Sequence, residues 1–424
     1  MLKRIAISDL EVGMYVHKFE GRWLDHPFWK ARFLIEDAEK LSAIKGSRVQ
    51  GIIIDTDKSR TPASAKVAMA GPGSATASMT PPARPRPARF RAGPQLVSTQ
   101  PLSLAQEVET ASAIAEKGRE QLEKTFIDAR LGRALDLRKV EPVVSDILAS
   151  VRRNSQAFSG LMRCKLKNEQ IFRHALSVSA LMVALADRMK LSGPEIHNCG
   201  LAGMLLDLGV NYLPPSFDPW AGGRRSSDEA IWQSHVLLGY RALQNYDSLP
   251  QSVLDACLCH HERMDGSGYP QERTGEDIPQ VARMAAICDA FEFLIAGTAG
   301  CPALDPAQAV ASLQEQAGAF DEAILRLFIE TVGLYPVGSF VALASGKLAM
   351  VIDTDRRDPH RPIVQAFYSF ESRARILPHR VRLADKLEGE HIVGIADLAD
   401  LDLPEDALLR ELVFLSACRN EDRG

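Results

Sequence analysis

The stretch CHHERMDGSGYP at residues 259–270 places two adjacent histidines where an apolar helical segment gives way to a glycine-containing loop. Adjacent residues on an α-helix project about 100° apart. His260 and His261 can therefore both reach one ion only if the helix ends beside it, and Gly266 and Gly268 permit such an ending. The stretch predicts a metal site at a helix end, inside a helical domain.

Outward from this stretch, other apolar segments each contain one histidine or acid that is costly to bury alone. Asp207 follows GMLL in GMLLDLGV, Asp289 lies in ARMAAICDAFEFL, and His235 lies in WQSHVLLGY. His174 shares a helical face with apolar residues, where a single histidine is more often an ordinary core residue. Imidazole and carboxylate groups from several helices are also how helical bundles hold metal ions in their cores. The mixed ligands suit iron, manganese or zinc, and the alternative is a set of unrelated buried polar residues.

The helical period continues on both sides of these segments and predicts an all-α domain over residues 103–332. Ser103 and Gln106 have the spacing of a capping box, followed by a helix to about Leu131 and a second helix from near Pro142. Further helices are predicted at 168–190, 194–206, 227–246, 250–262, 279–296 and 306–332. The fold class predicted is therefore mainly α.

The ends of the chain have a different pattern. Residues 1–57 read as a small α+β module, with a strand at Val49–Ile54 and a short helix at Glu36–Ile44. Residues 333–424 read as a β-rich extension, because Phe340–Leu343 and Leu348–Ile352 flank the turn pair Ser345-Gly346. A strand at Ile363–Phe370 and a final helix at 404–418 complete it.

Residues 58–102 form a Pro/Ala-rich segment that we expect to be a disordered linker. There are eight prolines between Thr61 and Pro101, and no acid occurs from Lys58 to Gln106. Such a composition cannot bury enough apolar surface to offset its ordering entropy. The basic run ARPRPARFRAG at 83–93 could contact an anion, although a solvated linker is the simpler interpretation.

Composition excludes several classes of protein. The 50 basic and 54 acidic residues leave a net charge of −4, which argues against a binder of nucleic acid polymers. No apolar run approaches the roughly 18 residues of a membrane span, and the N-terminus lacks the apolar region of a secretory signal. The seven cysteines have no framework spacing. Reduced thiols and a cytoplasmic location are therefore expected.

The string HHERMDGSGYP resembles the signature of the HD-GYP family, a branch of the HD hydrolases. The likeness extends over roughly 165–352, through IFRHALSVSALM, GLAGMLLDLG, IPQVARMAAICDAFE and GLYPVGSFVAL. The segments LEVGMYV, HPFWKARFLI and IIIDT resemble the domain of unknown function often found ahead of HD-GYP domains.

The resemblance implies a helical domain with two or three divalent metal ions that hydrolyses cyclic di-GMP, with diguanylate cyclases or other signalling proteins as partners. The family's metal ligands would be His174, Asp207, His235, His260, His261 and Asp289, and Asp207 would be the bridging, catalytic acid. The loop facing substrate or a partner, which we call the GYP loop, would contain Asp265, Gly266, Gly268, Tyr269 and Pro270.

The sequence departs from the family at the HD signature itself. Leu206 stands where the family has its signature histidine, Val210 replaces the phosphate-facing lysine, and Gln170 replaces a glutamate that supports a third ion. The family's ligands for one ion are all present, namely Asp207, His235, His260 and His261. The ligands for the other ion are reduced to His174, Asp207 and Asp289, because Leu206 replaces the fourth. The loop AGTAGCPALDP at 296–306 also replaces the family's arginine-containing string. We expect one or two bound ions, with the first site weakened.

Three functions follow from this pattern. The first is a cyclic di-GMP phosphodiesterase with an altered metal centre, whose hydrolysis is reduced or absent. The second is a non-catalytic module that binds a cyclic dinucleotide or a partner protein. The third is a helical scaffold without a site, which would not need six ligand-type residues or an intact GYP loop.

Overall fold

The computed structural model describes residues 2–20, 33–35, 38–45, 51–56, 58, 100–131, 133, 136–164, 170–214, 217, 229–246, 249–298, 301–316, 318–355, 358, 360–385 and 389–420. Most of the predicted linker lies outside these residues, so that prediction is not tested. The chain divides into two units, Met1–Arg91 and Ala92–Gly424, and each is described by itself.

The N-terminal unit is an antiparallel sheet with one helix. Its strands are β1 (Leu2–Ile5), β2 (Tyr15–Glu20), β3 (Phe33–Leu34) and β4 (Gly51–Asp55), in the order β1-β4-β2-β3, and α1 covers Ala38–Lys45. Leu10, Val16, Ile35, Ile44 and Ile52 are fully buried together. Successive side chains of a β-strand point to opposite faces of the sheet, so the side chains on one face can be buried against a helix. The expected α+β module is confirmed.

The second unit begins with a helical bundle. Ser103 caps α2 through a capping box with Gln106, as the spacing of these residues predicts. The helices are α2 (Leu104–Arg130), α3 (Glu141–Arg153), α4 (Ala157–Cys164), α5 (Gln170–Arg188), α6 (Gly193–Leu205), α7 (Glu229–Leu243), α8 (Gln251–Cys259), α9 (Gln280–Ala296), α10 (Pro306–Glu315) and α11 (Glu322–Val332). The mainly α fold class is confirmed.

The prediction of one helix over 306–332 was wrong. The chain leaves α10 after Glu315 and passes through Gly318 at a φ of +83°, a conformation that favours glycine. Asp321 then starts α11 by accepting hydrogen bonds from the backbone N–H groups of Ala323 and Ile324. The apolar period crosses this break, which is why the sequence reads as continuous there.

Helix α5 lies at the centre of the bundle and is buried along almost its whole length. It packs closely against α6, since a Cβ built on Gly203 would lie 2.9 Å from the backbone of Ser179. Helix α9 packs on another side of α5. These two contacts place the start of α5, the end of α6 and the middle of α9 next to each other.

A second antiparallel sheet packs on the bundle within the same unit. Its strands are β5 (Phe340–Leu343), β6 (Lys347–Asp353), β7 (Ile363–Ser369), β8 (Ala374–Arg382) and β9 (Ile392–Ile395), in the order β8-β7-β6-β5-β9, and α12 spans Asp406–Asn420. The hairpin at Gly346 is confirmed. Strands β8 and β9 were not predicted. They are edge strands that alternate mainly between exposed and half-buried positions, and apolar residues such as Leu377 and Val393 stand at the exposed ones, so the sequence shows no matching alternation of apolar and polar residues.

The sheet is joined to the bundle by polar as well as apolar contacts. Arg410 of α12 donates from Nε to the Gly338 carbonyl at 2.8 Å and from Nη2 to Asp305 Oδ2 at 3.1 Å. Gly160 of α4 lies against the Phe414 ring. Within the described residues, no helix is long and apolar enough to cross a membrane.

Candidate metal centre

Asp207 lies at the point where α6 ends and a single 3-10 turn, Leu208–Tyr212, begins. Gly209 in this turn presses against α7 beside His235. A Cβ built on Gly209 would overlap the His235 carbonyl oxygen and lie 2.6 Å from the Gly239 nitrogen. Two glycines facing each other therefore let Asp207 approach His235 through direct backbone contact.

Three histidines form one cluster beside Asp207. His235 comes from α7, whereas His260 and His261 directly follow Cys259, the last residue of α8. One ring nitrogen from each of the three lies within 4.8 Å of the others, and all three residues are buried. Because α8 ends at Cys259, the two adjacent histidines can face the same point, as the sequence predicts.

Backbone carbonyls set the ring orientation of two of these histidines. His235 Nδ1 lies 2.6 Å from the Trp232 carbonyl, and His260 Nδ1 lies 3.2 Å from the carbonyls of Ala256 and Cys257. A carbonyl can only accept, so each Nδ1 donates and each Nε2 is left to point into the centre. Fixing the tautomer in this way is the usual role of groups behind a metal ligand.

Asp207 connects this cluster to a second one. Its Oδ1 lies 3.4 Å from His235 Nε2 and 3.8 Å from His260 Nε2, and its Oδ2 lies 3.4 Å from His174 Nε2. His174 Nε2 also lies 2.9 Å from Asp289 Oδ1. His174, Asp207 and Asp289 thus form a group that shares Asp207 with the histidine cluster.

Burial and the neighbouring side chains together set the ionisation of the centre. Burial lowers the pKa of His260 to about 4, against the opposing effect of Asp289. Burial alone would raise the pKa of Asp207, but His235 and His174 outweigh it, so that pKa is lowered. Near neutral pH the centre therefore combines an ionised carboxylate with a neutral His260 imidazole.

This arrangement fits a divalent cation. Asp207 Oδ1 is buried and, among the described residues, has no hydrogen bond of acceptable geometry. Nε2 of neutral His260 turns a lone pair towards it. Electron-pair donors that converge without a proton between them repel each other, and a cation removes that repulsion. The donor set suits Fe, Mn or Zn.

The residues at the lost family positions are apolar or neutral in this chain. Leu206 is 2 % exposed and belongs to the main hydrophobic core, next to Asp207. Val210 packs with Leu213, Phe217 and Trp232. Gln170 is the first residue of α5, one helical turn before His174. Neither Leu206 nor Val210 offers a group that could bind a metal or a phosphate.

The GYP loop closes over the histidine cluster. The ring of Tyr269 stacks on that of His261, with ring centroids 4.7 Å apart and planes inclined by 23°. Asp265 accepts hydrogen bonds from the backbone and hydroxyl of Ser267, which lower its pKa. Gly266 has a φ of +81°, and the Tyr269–Pro270 peptide is cis. The predicted substrate or partner loop therefore lies directly against a candidate ligand.

Sequence reasoning missed three contributors to this centre. Trp232 orients His235 with its carbonyl and covers it with its ring, at a centroid distance of 4.1 Å. Gly209 allows the close approach of α7. Glu262 is buried directly after His261, ahead of the GYP loop. Gly209 and Glu262 both lie in motifs that carry the family resemblance, GLAGMLLDLG and HHERMDGSGYP, although neither was assigned a role there.

Comparisons with known proteins place these features in context. One family model, described as "Domain of unknown function (DUF3391)", matches residues 2–140, and another, described as "HD domain", matches residues 156–324. Cyclic di-GMP phosphodiesterase PA4108 of Pseudomonas aeruginosa is 34% identical over 396 residues, which cover 93% of this chain and 92% of that protein.

Two more distant likenesses cover less of this chain. Cyclic di-GMP phosphodiesterase PdeB of Borreliella burgdorferi is 23% identical over 193 residues, which cover 45% of this chain and 50% of that protein. Among solved structures, Bd1817, an HDG"Y"P protein from Bdellovibrio bacteriovorus, aligns with a TM-score of 0.46 at 17% identity, over 77% of this chain and 98% of that one.

Proposed function

The chain belongs to the HD-GYP family, and on that premise we propose that it is a metal-dependent, cyclic di-GMP phosphodiesterase-type signalling protein whose hydrolysis is slow or absent. The observation that carries the proposal is the meeting of two ligand clusters at Asp207, beside an apolar Leu206. The first part of that observation supports metal binding. The second part supports a loss of catalytic power.

The histidine cluster is the better-equipped half of the centre. Asp207, His235, His260 and His261 would hold one ion, and the carbonyls behind His235 and His260 orient their rings for it. A bound divalent ion supplies Lewis-acid activation of water and of a phosphodiester. Asp207 is the residue best placed to orient a reacting water, since both of its oxygens face the two clusters.

The other half of the centre is short of one ligand. His174, Asp207 and Asp289 would hold a first ion weakly, since Leu206 adds no donor to them. A two-ion phosphodiesterase needs both ions to hold the attacking and leaving oxygens. Val210 also leaves the phosphate without the family's ammonium group, and loss of one such stabilising donor typically lowers kcat by about 10²–10³.

The test is repair of the lost positions in the full-length protein. The double variant Leu206→His with Val210→Lys should bind a second ion and raise cyclic di-GMP turnover by roughly 100-fold. The matched control, Leu206→Gln with Val210→Lys, introduces a polar side chain of similar size without an imidazole and should bind no second ion. Metal content, cyclic di-GMP binding and cyclic di-GMP hydrolysis would be measured on all three proteins.

Two results would contradict the proposal. Wild-type protein that already contains two ions and turns over cyclic di-GMP as fast as the repaired variant would make it an ordinary enzyme of the family. Wild-type protein that neither binds a divalent metal nor binds cyclic di-GMP would remove the site altogether.

The same experiment tests the second candidate, a non-catalytic module that binds a cyclic dinucleotide or a partner protein. The apolar side chains of Leu206 and Val210 favour it, because they replace catalytic groups and leave the GYP loop unchanged. Saturable binding of cyclic di-GMP without turnover, in a protein with one ion, is the result expected of such a module.

A further inference from the structure

The loop that follows His261 has a buried carboxylate at its centre. Glu262 is 1 % exposed, and residues 262–274 curl around it. The loop is closed at its base by an isolated β-bridge between Asp265 and Thr274 and by a hydrogen bond from the Gly275 N–H to the Met264 carbonyl at 3.0 Å. Glu262 directly follows the candidate ligands His260 and His261 in the chain.

Each oxygen of Glu262 accepts one backbone hydrogen bond from the far side of the loop. The Gln271 N–H donates to Oε1 at 2.7 Å, and the Arg273 N–H donates to Oε2 at 2.9 Å. Hydrogen bonds to an ionised carboxylate are short and roughly twice as strong as neutral ones. The two bonds hold the segment that follows Tyr269 against the side chain of Glu262.

This closure brings Tyr269 onto His261. The Tyr269 N–H donates to the His261 carbonyl at 3.2 Å. At Gly268 the loop passes so close to the backbone of His261 and Arg263 that a Cβ there would overlap both. The Tyr269 ring then covers one side of the His261 ring at 4.7 Å, and Trp232 approaches the same ring edge-on at 6.1 Å.

We propose that Glu262 is a positioning residue for the metal centre: it closes the loop that holds Tyr269 against His261, and so fixes the plane of the His261 imidazole. The rings of His235 and His260 contact backbone carbonyls of α7 and α8, whereas the ring of His261 is flanked by the rings of Tyr269 and Trp232. This inference rests on the proposed metal centre and adds a residue to its supporting shell.

The test is cobalt(II) binding by metal-depleted, full-length protein, read from the visible absorption of the bound ion. Loss of a group that orients a metal ligand typically costs 10–100-fold in metal affinity. Glu262→Gln keeps the shape of the side chain but turns an amide NH2 towards a backbone N–H. It should weaken cobalt binding by about tenfold and change the absorption band, because the ligand geometry changes. Glu272→Gln, an exposed acid in the same loop, is the control and should leave both unchanged.

Tyr269 supplies the second arm of the test. Tyr269→Phe keeps the stacked ring and should bind cobalt like the wild type, whereas Tyr269→Leu should reproduce the Glu262→Gln spectrum. If Glu262 acts through Tyr269, the combined Glu262→Gln and Tyr269→Leu variant should bind cobalt no more weakly than the weaker single variant. This comparison also holds if Glu262→Gln lowers the melting temperature, since only folded protein contributes to the spectrum.

The outcomes separate this inference from the proposed function. Normal cobalt affinity and spectrum in Glu262→Gln, with a wild type that binds cobalt, would overturn the positioning role alone. Strictly additive losses in the double variant would also overturn it. A wild type that binds no cobalt would overturn the metal centre, and this inference with it.

Discussion

Replacing Gly209 by alanine should separate Asp207 from His235 and weaken metal binding without changing the side chain of any candidate ligand. The added Cβ would overlap the His235 carbonyl oxygen, lie 2.8 Å from the His235 carbonyl carbon and lie 2.6 Å from the Gly239 nitrogen. All three atoms belong to the backbone of α7. No side chain can rotate away to make room, so the 3-10 turn and the helix must move apart.

The size of the effect follows from these contacts. Carbon atoms in good contact lie about 3.5–4.0 Å apart, and the overlap with the His235 carbonyl oxygen is closer still, so the turn must shift by more than about 1 Å. Forcing an extra methyl group into a packed interior costs about 1–3 kcal/mol, occasionally more. The same shift would lengthen the separation of Asp207 Oδ1 and His235 Nε2 from its present 3.4 Å. Displacing a donor of the set should weaken metal binding by at least the 10-fold expected for loss of a supporting group.

The assay is thermal unfolding together with cobalt(II) titration, on variants that differ only in where one methyl group is added. Gly239→Ala should be milder, since its Cβ would lie 3.0 Å from the Gly209 nitrogen, its nearest neighbour. Gly193→Ala, at the start of α6, is the control. Nothing lies within 4 Å of its Cβ, and alanine there should be neutral or stabilise by up to about 1 kcal/mol.

The expected order of destabilisation is Gly209→Ala, then Gly239→Ala, then Gly193→Ala. A Gly209→Ala protein with wild-type melting temperature and cobalt affinity would refute the reasoning, because it would mean that the turn and α7 are not in direct backbone contact. Loss of stability with unchanged metal affinity would show that the contact holds the fold but does not position Asp207.

Two further predictions concern the buried charges. Glu107 and Arg153 form a bidentate pair at 2.6 and 2.8 Å, with side chains 0% and 10% exposed. Glu107→Ala should destabilise the protein by about 3–5 kcal/mol in chemical denaturation, because it removes one partner of a buried ion pair. A change below about 1 kcal/mol would argue against that burial. Metal removal with a chelator should lower the melting temperature, since an ion present at a hundred times its Kd adds about 2.7 kcal/mol to the free energy of unfolding. The chelator should lower the melting temperature of the His235→Ala variant by less. An equal decrease in both proteins would place the stabilising ion elsewhere.

Much of the fold could be read from local sequence. The capping box at Ser103, the apolar period along α5 and the turn pair before β6 each act over a few residues, so their structural outcome is written in neighbouring side chains. The break between α10 and α11 was missed because apolar spacing continues across it, although Gly318 and Asp321 were both visible. Edge strands β8 and β9 were missed because their exposed positions include the apolar residues Leu377 and Val393, so hydropathy does not follow the alternation of the strands.

The candidates for the metal centre can be named from local sequence, because an acid or imidazole in an apolar segment is costly to bury and has to be compensated. How these residues meet depends on the packing of the helices. Asp207 joins two clusters because α5, α6, α7 and α9 pack around it, and Gly209 permits the closest of these approaches. The support of His261 by Glu262 and Tyr269 is likewise a product of the loop's closure. Distances between residues far apart in the chain depend on packing, and no local pattern of side chains encodes them.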